Sequence, residues 1–153
     1  MNELPPPLRN QSKLDMEHLR LLSIFHFVGA GLAVLGILFL LAHYAMFHTL
    51  VSNPKMWENQ KNPMPIQPAE FFAIFRWFYV IGGAWFFVSG VLNLISGVYL
   101  RARKHRTFSL VVAVMNCLHI PLGTALGAFT IVVLIRDSVR ELYEVEGRQR
   151  AGS

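Results

Sequence analysis

Three apolar blocks run through the chain almost free of charge: Leu21 to about Phe47, Phe71 to Leu100, and Thr107 to Ile135. Arg76 is the one charged residue inside them. Each block exceeds the ~20 residues that a helix needs to cross a bilayer core. The surplus length is absorbed by tilt or by projection into the headgroup region. These blocks predict an all-α fold, an integral membrane helical bundle with three long spans.

Composition agrees. Charged residues make up 15% of the chain, against ~25% in an ordinary soluble domain. The net charge of +5 would suit nucleic acid if it formed a separate basic arm. It flanks the apolar blocks instead, which is where membrane proteins carry it. Nucleic acid is therefore excluded as a partner, and membrane lipid is expected. The single cysteine, Cys117, excludes a disulfide framework and a thiolate metal site. The N-terminal stretch, with Pro5-Pro6-Pro7 and mixed charges, makes a poor signal n-region. The first apolar run also outlasts the ~7–15 residues of a signal h-region.

The chain divides accordingly into an N-terminal arm at 1–19, helix 1 at 20–48 and an outer polar loop at 49–69. Helix 2 follows at 70–100, a basic turn at 101–106, helix 3 at 107–135 and a polar tail at 136–153. Asp15 is expected as the N-cap of helix 1, with Glu17 in its first turn. Pro68 and Glu70 suit the first turn of helix 2. Pro54, Pro63 and Pro65 among Asn and Gln mark the loop between them. An amphipathic extension through Val139, Leu142 and Tyr143 is expected in the tail.

Small residues recur every seven positions. Gly82, Ser89 and Ser96 share one register of helix 2, and Gly83, Gly90 and Gly97 another. Ser109, Asn116, Gly123 and Thr130 do the same in helix 3, flanked by Ala113 and Gly127. In helix 1, Gly29, Ala33 and Gly36 share a face. Small residues let backbones approach where lipid supplies no hydrophobic drive, and the seven-residue period implies left-handed packing. The expected helix-packing residues are Gly29, Ala33, Gly36, Gly83, Gly90, Gly97, Asn116, Gly123 and Gly127.

The basic turn Arg101–Arg106 is expected in the cytoplasm by the positive-inside rule. The loop is then outside and the arm inside. Trp77 and Tyr79 fall in the outer aromatic belt, and Arg76 snorkels at the outer interface. The third block divides the argument at Pro121. A single kinked crossing puts the tail outside, whereas folding back at Pro121 makes a re-entrant hairpin, four helices in all, with the tail inside. Arg136 and Arg140 favour the hairpin by charge. The short arms and the stripe that keeps register through Pro121 favour the single kinked crossing, which is the expectation taken forward.

The stretches from Asp15 to His26 and from Pro121 to Thr130 resemble those of small uncharacterised bacterial multi-span membrane proteins. That resemblance implies a bacterial inner membrane location and carries no activity. Gly82-Gly83, Ser89-Gly90 and Met115-Asn116 after a basic turn are similar to the membrane-spanning four-domain family that includes the B-lymphocyte antigen. That likeness implies an oligomeric scaffold or accessory role.

Chemistry is sparse. Haem clamped by two histidines needs both ligands at one depth, yet His26, His119 and His43 fall roughly 9, 18 and 33 Å in, at ~1.5 Å per residue. His43 and His48 are awkwardly spaced for a metal and lack a neighbouring carboxylate. No Asp or Glu lies inside a block to couple transport. No nucleophile has a base at recognisable spacing. No catalytic, cofactor or metal residues are therefore assigned. The expected function is non-catalytic assembly, with itself or other membrane proteins. The alternative is an oligomeric pore lined by Asn116, Thr124 and His119.

Overall fold

The computed structural model describes residues 7–53, 55 and 68–152, and its elements are all α-helices. Helix α1 spans Pro7–Val51, α2 Pro68–Ala102, α3 Arg106–Asn116, α4 Leu122–Ile135 and α5 Asp137–Ala151. Two of these, α1 and α2, are long and apolar enough to cross a membrane. Most of the loop expected over 49–69 lies outside the described residues.

The first helix begins well before Asp15. Leu14, Asp15 and Met16 are already helical, so Asp15 is an interior residue and not an N-cap. Its side chain is fully buried, which a capping residue in water has no reason to be. Pro68 and Glu70 do occupy the first turn of α2. That helix ends by a Schellman-type closure, in which Lys104 N–H donates to Tyr99 O at 2.9 Å and Arg103 N–H to Leu100 O at 3.3 Å. The left-handed position falls on Arg103, with φ 50°, where glycine is usual. His105 repeats the left-handed conformation at φ 46° immediately before α3.

The third apolar block is not one continuous helix. It breaks between Asn116 and Leu122, and α3 and α4 fold back against each other. Arg106 Nε donates to Leu134 O at 2.7 Å, which ties the two ends of the block together. Nearer the turn, Gly127 lies against Ala113 and Cys117, and Gly123 against Asn116 and His119. The expected single kinked helix is thus not borne out: the block is two helices folded against each other. The physical reason lies in the break. After Asn116 the carbonyls are taken by short-range bonds, His119 N–H to Asn116 O at 2.9 Å and Thr124 Oγ1 to Cys117 O at 2.9 Å. Those bonds close a turn instead of continuing a helix. At ~1.5 Å per residue the arms are roughly 16 and 21 Å long, short of the ~30 Å bilayer core.

The chain forms two compact units, Met1–Ala30 with Val91–Ser153, and Gly31–Gly90. The first packs the hairpin and α5 around Leu19, Leu22, Leu100, Val133, Leu134 and Val139. Val139 is the buried anchor of α5, and Leu142 and Tyr143 are half-buried beside it, as the amphipathic pattern predicts. The second unit is a pair of helical segments whose large apolar side chains, from Leu35 and Phe39 to Phe78 and Phe87, are mostly exposed.

Candidate helix-packing site

In the larger unit the small-residue registers surround a polar interior. Fully or almost fully buried there are Asp15, Ser23, His26, Asn93, Ser96, Ser109, Asn116 and Thr130. Burying such groups is costly unless they find partners; most do, while the Ser96 and Ser109 hydroxyls have none among the described residues. Asn93 and Asn116 pair amide to amide, Nδ2 of each donating to Oδ1 of the other at 2.9 Å and 2.8 Å. Ser23 Oγ donates to Gly97 O at 2.7 Å, joining α1 to α2. Thr130 returns its hydroxyl to Leu126 O within α4. His26 donates from Nδ1 to Leu22 O at 3.0 Å and leaves Nε2 buried without a hydrogen bond.

The glycines explain how the helices come close enough. A Cβ at Gly29 would lie 3.5 Å from Asn93 Oδ1, so that glycine shapes the wall beside the amide pair. At Gly97 a Cβ would meet the Phe27 ring at 2.8 Å. At Gly127 it would run into Ala113 O and lie 2.7 Å from Cys117 Sγ, and at Gly123 it would strike His119 and Asn116 O. Ala33 is buried. Gly36, in the smaller unit, receives the Phe86 ring at 2.8 Å. Gly90 is half-buried. At Gly83 a Cβ would meet nothing within 4 Å among the described residues, whereas its register partner Gly97 packs because Phe27 lies over it.

Two features escaped the sequence reading. Asp15 Oδ1 accepts from Gln11 Nε2 at 3.3 Å and pairs with Arg136 Nη1 at 3.6 Å, so the bend between α4 and α5 is held to α1. The register Asp15, Leu22, Gly29, Gly36 has the same seven-residue period and could have shown that Asp15 faces inward. Phenylalanines seated on glycines, Phe27 on Gly97 and Phe86 on Gly36, carry no periodic signal of their own.

Among the described residues no three His, Cys, Asp or Glu side chains group as a metal site. His43 shares a 2.8 Å hydrogen bond with Tyr79 and stacks on Phe47, while His48 stacks on Tyr44. The two rings are thus engaged with different neighbours. Of the residues considered for a pore, Asn116 spends its amide on Asn93 and Thr124 its hydroxyl on Cys117 O. No known family model, curated protein or solved structure matches the chain.

Proposed function

We propose that this is a non-catalytic integral membrane protein that acts by assembling with itself or with partner membrane proteins. The observation that carries the reading is unused close-packing space in the Gly31–Gly90 unit. Gly36 and Gly82 are packed by Phe86 and Leu40, whereas a Cβ at Gly31 or Gly83 would meet nothing within 4 Å among the described residues. Glycine inside a helix is destabilising by roughly 0.5–1 kcal/mol relative to alanine. In membrane helices it is favoured where a neighbouring backbone approaches. The likeness to the membrane-spanning four-domain family points the same way, towards a scaffold or accessory subunit.

The orientation proposed puts the basic turn, α5 and the start of α1 in the cytoplasm, with the hairpin re-entrant from that side. Of the 14 Lys and Arg residues, only Lys55, Lys61 and Arg76 fall between the two spans' basic ends, an asymmetry that the positive-inside rule assigns to the outer face. A bacterial inner membrane is the setting that the sequence resemblance implies.

The test is the association state of the full chain in mild detergent, by light scattering coupled to size exclusion. Gly83→Ile should lower the association state and leave helix content unchanged. A chain that is monomeric at every concentration, or a Gly83→Ile variant that assembles like the wild type, would overturn the reading. Conductance across planar bilayers separates it from the pore alternative, which requires unitary currents.

A further inference from the structure

At the basic end of α2 a groove of about 380 Å³ opens between the Arg103–Arg106 turn and α5. Arg103, Lys104, Arg106, Arg140, Tyr143 and Glu144 line it. Its charges do not balance. Arg103 is taken by Glu146 at 3.2 Å, and Arg140 by Glu144 at 3.1 Å. Arg106 uses Nε on Leu134 O, which leaves its two terminal nitrogens with no carboxylate partner among the described residues. Lys104 is exposed and likewise has no carboxylate partner among them. The uncapped start of α3 at Arg106 adds partial positive charge at the same end.

One further observation is independent of that surplus. Tyr143, half-buried in the wall, has a buried hydroxyl with no hydrogen bond among the described residues. That O–H donor feels the charge of Arg106 and gains a partner only if an anionic oxygen enters the groove as far as the phenol.

We propose that this groove binds the phosphate of an anionic phospholipid headgroup, with Lys104 and Arg106 as the charges that hold it. The proposal rests on the membrane reading above, because that reading puts the groove at headgroup depth. α2 carries no charged residue from Trp77 to Leu100 and is basic from Arg101, and Tyr99 packs on His105 and Phe108 there, with ring centroids 4.7 and 5.3 Å apart. Aromatic residues of this kind mark the interface, and basic pockets at helix ends take acidic headgroups.

The experiment titrates the full chain in neutral detergent with phosphatidylglycerol, phosphatidylcholine of the same acyl chains, or inorganic phosphate, and reads bound lipid by native mass spectrometry and stability by thermal shift. Phosphatidylglycerol should bind at least ~10-fold tighter than phosphatidylcholine, and Lys104→Gln should weaken it about fivefold, the factor one basic residue contributes near an anionic surface. Lys13→Gln, a basic residue outside the groove, should change it less than about twofold. Equal binding of the two lipids, or equal losses in the two variants, overturns the groove. Stabilisation by inorganic phosphate that matches the lipid, and competes with it, overturns the headgroup assignment. Release of the chain from membranes by alkaline carbonate would instead defeat the membrane reading, so the two failures are distinguishable.

Discussion

The side-chain amides of Asn93 and Asn116 exchange two hydrogen bonds, at 2.9 Å and 2.8 Å, and so bind the hairpin to α2. Both residues are 4% exposed, so neither amide has water as an alternative partner. Truncating one strands the other at about 1–3 kcal/mol. Asn93→Ala and Asn116→Ala are each expected to destabilise by that amount, and the double variant by clearly less than their sum. Equilibrium unfolding in mixed micelles, analysed as a double-mutant cycle, measures the coupling. Additive losses would mean that the pair does not act as a unit.

The glycines separate into two groups that substitution should distinguish. Gly127→Ala puts a methyl group into Ala113 O and beside Cys117 Sγ, where backbone leaves little room to relax. Overpacking of this kind is expected to destabilise by about 1–3 kcal/mol. Gly31→Ala meets nothing within 4 Å among the described residues and should leave the dissociated chain as stable or up to about 1 kcal/mol more so. Similar thermal-shift changes for the two variants would contradict the packing described.

The all-helical class and the two long apolar helices could be read from block length, because a charge-free run of that size has few other ways to satisfy its backbone. Gly29, Gly36 and Gly97 lie on the predicted registers, and each has a neighbouring side chain against it. The break at Asn116 is not legible in the sequence, for a physical reason. The spacing from Asn116 to Gly123 counts across a break that is not helical, so its seven residues say nothing about chain direction. Ser109 and Thr130 are both buried because each hairpin arm turns its small polar face inward. Arg136 and Arg140 carried the better signal, since charge at both ends of a block favours bringing the ends together on one side.

Tyr143 supplies a pH signature outside the apolar helices. Burial pushes its phenol up to about 12 from 10.0, against the opposing charges of Arg106 and Arg103. The folded state therefore favours the neutral phenol. That contribution is fully present below about pH 10, and it is lost as pH rises through about 12. Tyr143→Phe should remove this part of the alkaline stability loss. Subtracting its absorbance titration from that of the wild type should leave one phenolate transition, centred near the raised value. A difference transition close to 10.0 would show that Tyr143 is solvated.

The last expectation concerns the side on which the tail lies. Arg106 bonds Leu134 O at 2.7 Å and Arg103 pairs with Glu146 at 3.2 Å, so the tail is held to the basic turn and is expected on the same side of the membrane. On the proposed orientation that side is the cytoplasm. In a Cys117→Ser background, cysteines at Lys104 and Gly152, both exposed, should resist an impermeant thiol reagent added outside intact cells. A cysteine at Asn53, exposed beyond the far end of α1, should react. A reporter fused after Ser153 should be fluorescent with a cytoplasmic fluorophore and inactive with alkaline phosphatase. The two sites answer different questions. Labelling at both Lys104 and Gly152, with protection at Asn53, would invert the orientation and keep the hairpin. Labelling at Gly152 alone would separate the tail from the turn, and the hairpin itself would then be wrong.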